Sequence, residues 1–166
     1  MTIHLNIGSN IGHRHSAIER AVAALSSALP GRMAVSHPVE TPPWGFESPN
    51  SFINVGVRID MPSEMAPVEV MEAVMAVQRS ISPLSHRDAT GGYCDRLIDI
   101  DIIAIDDLVV DSPRLTLPHP RMHLRDFVLI PLAQLAPAWH HPTLHQTPEE
   151  MLQALADIPR PLRGRK

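Results

Sequence analysis

Arg96-Leu97-Ile98-Asp99-Ile100-Asp101-Ile102-Ile103-Ala104-Ile105 is the stretch on which the fold turns. Five of its ten residues are isoleucine, and β-branched runs of this kind favour a buried strand. Side chains along a strand alternate between faces, so Asp99 and Asp101 are expected on one face and Ile98, Ile100, Ile102 and Ala104 on the other. The two carboxylates then stand about 7 Å apart at Cα, a repulsive arrangement of a residue type that strands disfavour. A hard divalent cation is the simplest group to offset that cost. Arg96, at the head of the strand, can hold a phosphate or a carboxylate. A lone D-x-D is more often a solvated sheet face, so the surroundings must decide between the two readings.

Upstream, Ile3, Leu5 and Ile7 alternate with His4 and Asn6 in a first strand. Gly8-Ser9-Asn10-Ile11-Gly12 reads as a turn with helix-capping residues. Ile18, Val22, Leu25 and Leu29 mark one face of a helix that Pro30-Gly31 ends. Met33 to Val39 reads as a short strand, and Pro38 places it at an edge. Thr41-Pro42-Pro43-Trp44-Gly45-Phe46-Glu47-Ser48-Pro49-Asn50 is no regular element, yet it carries two of the chain's six aromatic residues. It reads equally as a connector whose aromatics tuck onto the core and as the rigid wall of a pocket for a flat ligand. Phe52 to Asp60 is a strand with Ile53, Val55, Val57 and Ile59 on one side. Phe52, Asn54, Gly56 and Arg58 lie on the other, which pairs an aromatic plate with an amide. Pro67 opens a second amphipathic helix, with Val70, Val74, Val77 and Ile81 on its apolar face and Met71 and Met75 nearby.

Pro83 to Asp95 is polar and holds His86, Arg87, Asp88 and Gly91-Gly92. It is expected to be a mobile loop that orders as a lid, with Arg87 as its phosphate contact and Tyr93 as a hydrophobic plug. Asp106-Asp107 is a turn from which Val109 and Val110 return as a short strand. Arg114 to Arg121 is extended and basic. Arg125 and Phe127 open a helix through Leu129, Leu132 and Leu135, which Pro131 breaks or delays. A short extra helix is expected near Glu149 to Ala156, ahead of a basic tail from Arg160 to Lys166.

Two β-α-β units in this order build an antiparallel sheet with their helices on one face. The class is therefore α+β, a ferredoxin-like antiparallel sheet with helices packed on its faces. With 166 residues and no repeat or linker, the chain reads as a single domain, a core over about 1–137 and a C-terminal extension over 138–166. A net charge of -4 speaks against a general nucleic-acid binder, and a single cysteine, Cys94, excludes an internal disulfide and a cysteine-rich zinc site. No apolar run is long enough to span a membrane, and Met1-Thr2-Ile3-His4 lacks a basic region followed by an apolar one, so a cytoplasmic protein is expected. Lysine occurs once against thirteen arginines. Phosphate chemistry must then fall to Arg, His, backbone amides or metal, and no P-loop is present.

Four separated segments resemble the 6-hydroxymethyl-7,8-dihydropterin pyrophosphokinase family. They are Ile7-Gly8-Ser9-Asn10, Thr41-Pro42-Pro43, Phe52-Ile53-Asn54, and the run from Arg96-Leu97-Ile98-Asp99-Ile100-Asp101 through Leu115-Thr116-Leu117-Pro118-His119 to Arg125-Asp126-Phe127. The resemblance implies a ferredoxin-like core and transfer of pyrophosphate from ATP to the hydroxymethyl group of a dihydropterin, with release of AMP. It implies that Asp99 and Asp101 hold two Mg2+ ions, that Arg87 and Arg96 serve catalysis, and that Phe52 and Phe127 sandwich the pterin. It further assigns Thr41, Pro42, Trp44 and Asn54 to the pterin, and Gln78, Arg96, Ile102, Arg114, Leu115, Thr116, His119 and Arg125 to ATP. The chain departs from the family pattern in the loop, where Tyr93-Cys94-Asp95 stands in place of a Trp with Gly-Pro. A non-catalytic ferredoxin-like module that binds a nucleotide or pterin and regulates a partner is the rival reading, and a metal-dependent phosphohydrolase using the same aspartates is a second.

Overall fold

The computed structural model describes residues 1–82 and 94–157. Residues 83–93 of the expected lid, Arg87 and Tyr93 among them, and the basic tail lie outside the described residues. The order of elements is β1 (Thr2–Ser9), α1 (Arg14–Ala28), β2 (Arg32–Val35), β3 (Val39–Thr41), β4 (Phe52–Asp60), α2 (Pro67–Ile81), β5 (Asp99–Ile105), β6 (Val110–Asp111), β7 (Thr116–Leu117), a 3-10 turn (Met122–Leu124), α3 (Asp126–Leu135) and α4 (Pro148–Ala156).

The main sheet runs β2-β4-β1-β5, with β3 also on β4, and its strand pairs are antiparallel. Counting β2 and β3 as one interrupted edge strand, this is the ferredoxin-like order. The interruption falls at Pro38, as an edge proline requires, so the expected single strand is two short ones. Ile3, Leu5 and Ile7 of β1 and Val55, Val57 and Ile59 of β4 form one face of the sheet, packed against Ala17, Ile18, Ala21 and Leu25 of α1 and Val70, Val74 and Val77 of α2. Met71 belongs to that core at 7% exposure, whereas Met75, expected beside it, stands 45% exposed.

The described residues cover the opposite face only in part. Helix α3 lies across it at Gly56, where an added Cβ would come within 2.8 Å of Pro131 Cβ and 3.2 Å of Leu135 Cδ1. Pro131 therefore sits inside the helix, neither breaking nor delaying it. Ile103, Val128, Leu129, Leu132, Met151 and Leu155 form a second core under α3 and α4. Helices thus occupy both faces, and among the described residues the ends of β1, β4 and β5 beside the first turn of α3 are left open.

One register change matters to that open face. His4 pairs with Ala104 but Leu5 with Ile102, so Ile103 is the extra residue of a β-bulge. Beyond the bulge the alternation is reset: Ile105 joins the first core and Ala104 lies opposite His4. The expectation that Ala104 shares a face with Ile102 fails for this reason. The bulged residue's carbonyl accepts from His119 N–H at 2.8 Å, which fastens the His119 segment beside β5. Val110 and Asp111 pair with Leu117 and Thr116, forming a separate two-stranded ribbon instead of returning along β5, and Val109 lies outside it, 60% exposed.

Candidate active site

The open face is the floor of a cleft of about 710 Å³, its solvent mouth included. Three strands supply that floor by their even-numbered or odd-numbered positions alone. β1 gives Asn6 and Gly8, β4 gives Phe52 and Asn54, and β5 gives Asp99 and Asp101. The expected common face for the two aspartates is therefore present. Thr41, Pro42, Trp44 and Phe46 form one wall, and His119, Arg121, Arg125 and Phe127 the other.

The aspartates are not bare. Arg96 pairs with Asp99 three residues on, and Arg125 Nη1 lies 3.3 Å from Asp101 Oδ2. The carboxylate repulsion read from sequence is thus offset by two guanidinium groups of the chain itself. Arg125 also places its Cζ 4.6 Å from the Trp44 ring centroid and 5.6 Å from that of Phe127, and Arg121 reaches Trp44 at 5.8 Å. Three guanidiniums facing two carboxylates leave the cleft positive in a chain whose net charge is -4, a field suited to polyphosphate. His119 has its pKa lowered to about 4, first by burial and then by Arg125 and Arg121. Its Nδ1 accepts from Arg121 N–H at 3.2 Å, so the neutral ring carries its proton on Nε2, as a donor.

At the other end, the amide of Asn54 is held on both sides. Asn6 Nδ2 donates to its Oδ1 at 3.4 Å, and its own Nδ2 donates to Thr41 Oγ1 at 3.2 Å. Phe46 meets Phe52 edge-on, 6.2 Å between centroids, and the turn before Phe46 needs Gly45, at φ +82. The result is an aromatic end of the cleft with an amide at its floor.

A polar knot fixes these pieces to one another. Asn10 Nδ2 donates to Asp95 Oδ1 at 2.7 Å and to Asn50 O at 3.3 Å, while its Oδ1 accepts from Arg96 N–H at 2.7 Å. Asn50 Nδ2 donates to Asp95 Oδ2 at 2.6 Å. Hydrogen bonds from the side chains of Ser48, Asn50 and Asn10, Ser48's the largest, hold the Asp95 carboxyl below the usual range against partial burial. Asn10 therefore ties three loops together and does not cap α1, whose N-cap, His13, has no side-chain cap bond.

Of the residues expected on the nucleotide side, Arg96, His119 and Arg125 line the cleft. Gln78 Oε1 instead accepts from Ile100 N–H at 2.6 Å, seating α2 on β5. Ile102 and Leu115 belong with the first core, Thr116 lies in the small ribbon, and Arg114 pairs with Glu72 at 2.9 Å on an exposed surface. The sequence reading missed Asn6, Gly8, Phe46 and Arg121 as lining residues. Alternation set Asn6 on the polar face of β1, and Gly8, expected in a turn, continues that strand opposite Asn54; the rarity of aromatics marked Phe46, but Arg121 left no local signal.

A two-carboxylate floor with arginines and a neutral histidine at one end, and aromatic side chains around an amide at the other, has the chemistry that phosphoryl transfer to a planar substrate needs. The chain belongs to the 7,8-dihydro-6-hydroxymethylpterin-pyrophosphokinase family, whose model matches residues 4–137. It is 40% identical over 141 residues to the 2-amino-4-hydroxy-6-hydroxymethyldihydropteridine pyrophosphokinase of Porphyromonas gingivalis, covering 84% of this chain and 93% of that one. The enzyme of the same name from Methylorubrum extorquens is 35% identical over 136 residues, covering 81% and 82%. The folic acid synthesis protein fol1 of Schizosaccharomyces pombe is 33% identical over 153 residues, 92% of this chain and 20% of that larger protein. In three dimensions the fold matches a crystal structure of HPPK-DHPS in complex with substrates, with a TM-score of 0.64 at 13% identity over 92% of this chain and 43% of that one.

Proposed function

We propose that this chain transfers the β,γ-pyrophosphoryl group of ATP to the hydroxymethyl oxygen of 6-hydroxymethyl-7,8-dihydropterin, yielding the pterin diphosphate and AMP in folate biosynthesis. The observation that carries the reading is the adjacency of an amide-floored aromatic slot and a two-aspartate, arginine-rich site in one cleft of a family member. The pterin enters between Phe52 and Phe127, with Trp44 and Pro42 as wall and Asn54 and Thr41 reading its polar edge. Arg96, Arg125 and the Nε2–H of His119 take the phosphate oxygens, with Arg114, Thr116, Leu115, Gln78 and Ile102 along the nucleotide's remaining path. Arg96 and Arg87 steady charge on the transferring group.

Among the described residues no group of three or more His, Cys, Asp or Glu is placed to hold a metal. A pair of carboxylates fits magnesium, which takes one or two of them and leaves its other positions to water and phosphate. Asp99 and Asp101 would hold two such ions, which when bound neutralise triphosphate charge. The chain's own work is alignment of hydroxyl, β-phosphorus and leaving AMP oxygen, and exclusion of water by the aromatic wall. The enzyme is one pyrophosphokinase domain, its division into 1–137 and an extension over 138–166 supported by the matched span, with Met151 and Leu155 of the extension packing into the second core. No helix among the described residues is long and apolar enough to cross a membrane, and the cytoplasm is its proposed place. Family membership favours the enzyme over the non-catalytic module. Incubation with ATP, magnesium and the pterin tests it: pterin-dependent AMP is expected, whereas ADP with free phosphate, or no turnover, overturns it.

A further inference from the structure

Asn6 is 5% exposed, and its Oδ1 is buried with no hydrogen-bond partner among the described residues. Buried amide carbonyls are nearly always paired, because an unmade hydrogen bond there is costly. This one lies in the lining of the cleft, on the central strand β1. In register Asn6 stands between Gly56 of β4 and Asp101 of β5. Gly56 is roofed by Pro131, so Asn6 is the last polar group of the floor before α3 closes it. Its Nδ2 is already committed to Asn54 Oδ1. The remaining acceptor therefore sits between the amide that reads the planar substrate and the carboxylate end where its hydroxyl must go.

We propose that Asn6 is a further substrate-contacting and specificity-determining residue of the pterin slot. Its Oδ1 accepts a hydrogen bond from an N–H or O–H donor on the sheet-facing edge of the substrate, while its Nδ2 holds the Asn54 amide in one orientation. An orphan acceptor in a closed floor rejects ligands that lack the matching donor, because they leave it unpaired. The inference rests on the pterin reading of the same slot.

Calorimetry with 6-hydroxymethyl-7,8-dihydropterin in the presence of magnesium and a non-hydrolysable ATP analogue tests it, on wild type, Asn6→Ala, Asn54→Ala and the double variant. Asn6→Ala is expected to weaken pterin binding at least fivefold and leave the affinity for the ATP analogue within twofold. The melting temperature of its ligand-free form should change little, since the removal of an unpaired carbonyl offsets the loss of the bond to Asn54 Oδ1. Asn6→Ala should also weaken binding further in the Asn54→Ala background. If it adds nothing there, Asn6 acts only through Asn54 and the direct contact is refuted. Unchanged pterin affinity with a lowered melting temperature makes Asn6 a structural residue and refutes the whole inference. If wild type itself fails to bind the pterin, the proposed function falls and this inference with it.

Discussion

Replacement of His4 by glutamine should remove a defined share of the protein's sensitivity to acid. His4 lies on β1 at 3% exposure, its ring centroid 6.2 Å from that of Trp139. Its pKa is lowered from 6.5 to about 4, first by burial and then by Arg58, against smaller opposing effects of Asp60 and Asp106. Because the folded value is the lower one, the unfolded chain takes up a proton that the folded protein refuses. The contribution is therefore fully present above pH 6.5 and is lost as pH falls toward 4. Between pH 7.5 and 5.0 the linkage amounts to about 2 kcal/mol for a group shifted in this way. His119, shifted to a similar value of about 4, makes a comparable contribution and keeps it in the variant. Urea unfolding at the two pH values, on wild type and His4→Gln, measures the effect. Any packing cost of the substitution is common to both pH values and cancels. The variant should lose about 2 kcal/mol less than wild type on acidification. An identical loss in the two proteins would show that His4 is not held neutral by burial.

Asp99→Asn or Asp101→Asn should reduce turnover by roughly a hundredfold or more at saturating magnesium, with the circular dichroism spectrum retained; near-normal rates would remove the metal assignment. Phe127→Ala should weaken pterin binding about tenfold by calorimetry and leave ATP affinity nearly unchanged, and equal losses for both ligands would return Phe127 to the core. Gly8→Ala places a Cβ 2.9 Å from Asn54 Oδ1 and 3.3 Å from Phe52 Cδ1. It should raise the KM for the pterin by about tenfold with little effect on that for ATP, and an unaltered pterin KM would show that the slot floor tolerates the shift.

Much of this architecture is written in period-two and period-3.6 patterns. Alternation in Ile3 to Ile7, Phe52 to Asp60 and Arg96 to Ile102 assigned the core face and set Asp99 beside Asp101 and Phe52 beside Asn54, because successive side chains of a strand alternate between faces; that the two pairs share one cleft follows from β1 lying between β4 and β5. What pattern could not carry was any feature set by a partner distant in sequence. The bulge at Ile103 leaves no trace in an Ile-Ile-Ala run, since either register buries apolar groups, and Ala104 was misplaced for that reason. Asn10 has the chemistry of a helix cap, but Asp95 and Asn50 arrive from elsewhere in the chain and claim its amide. The pairing of Arg125 with Asp101 likewise depends on α3 being brought over the sheet by the Gly56–Pro131 contact. Asn6 looked like an ordinary outward position of an alternating strand. Only its place in the cleft floor, beside Asn54 and under the edge of α3, sets its unpaired carbonyl apart.

Transfer of the terminal pyrophosphoryl group as one unit is the central claim, and isotopic label in ATP tests it most directly. Separate reactions with ATP labelled at the β- or the γ-phosphorus, with magnesium and 6-hydroxymethyl-7,8-dihydropterin, should each carry label into the pterin product and leave AMP unlabelled. Label in the pterin from the γ-position alone, with ADP formed, or release of γ-label as free phosphate, would contradict the account.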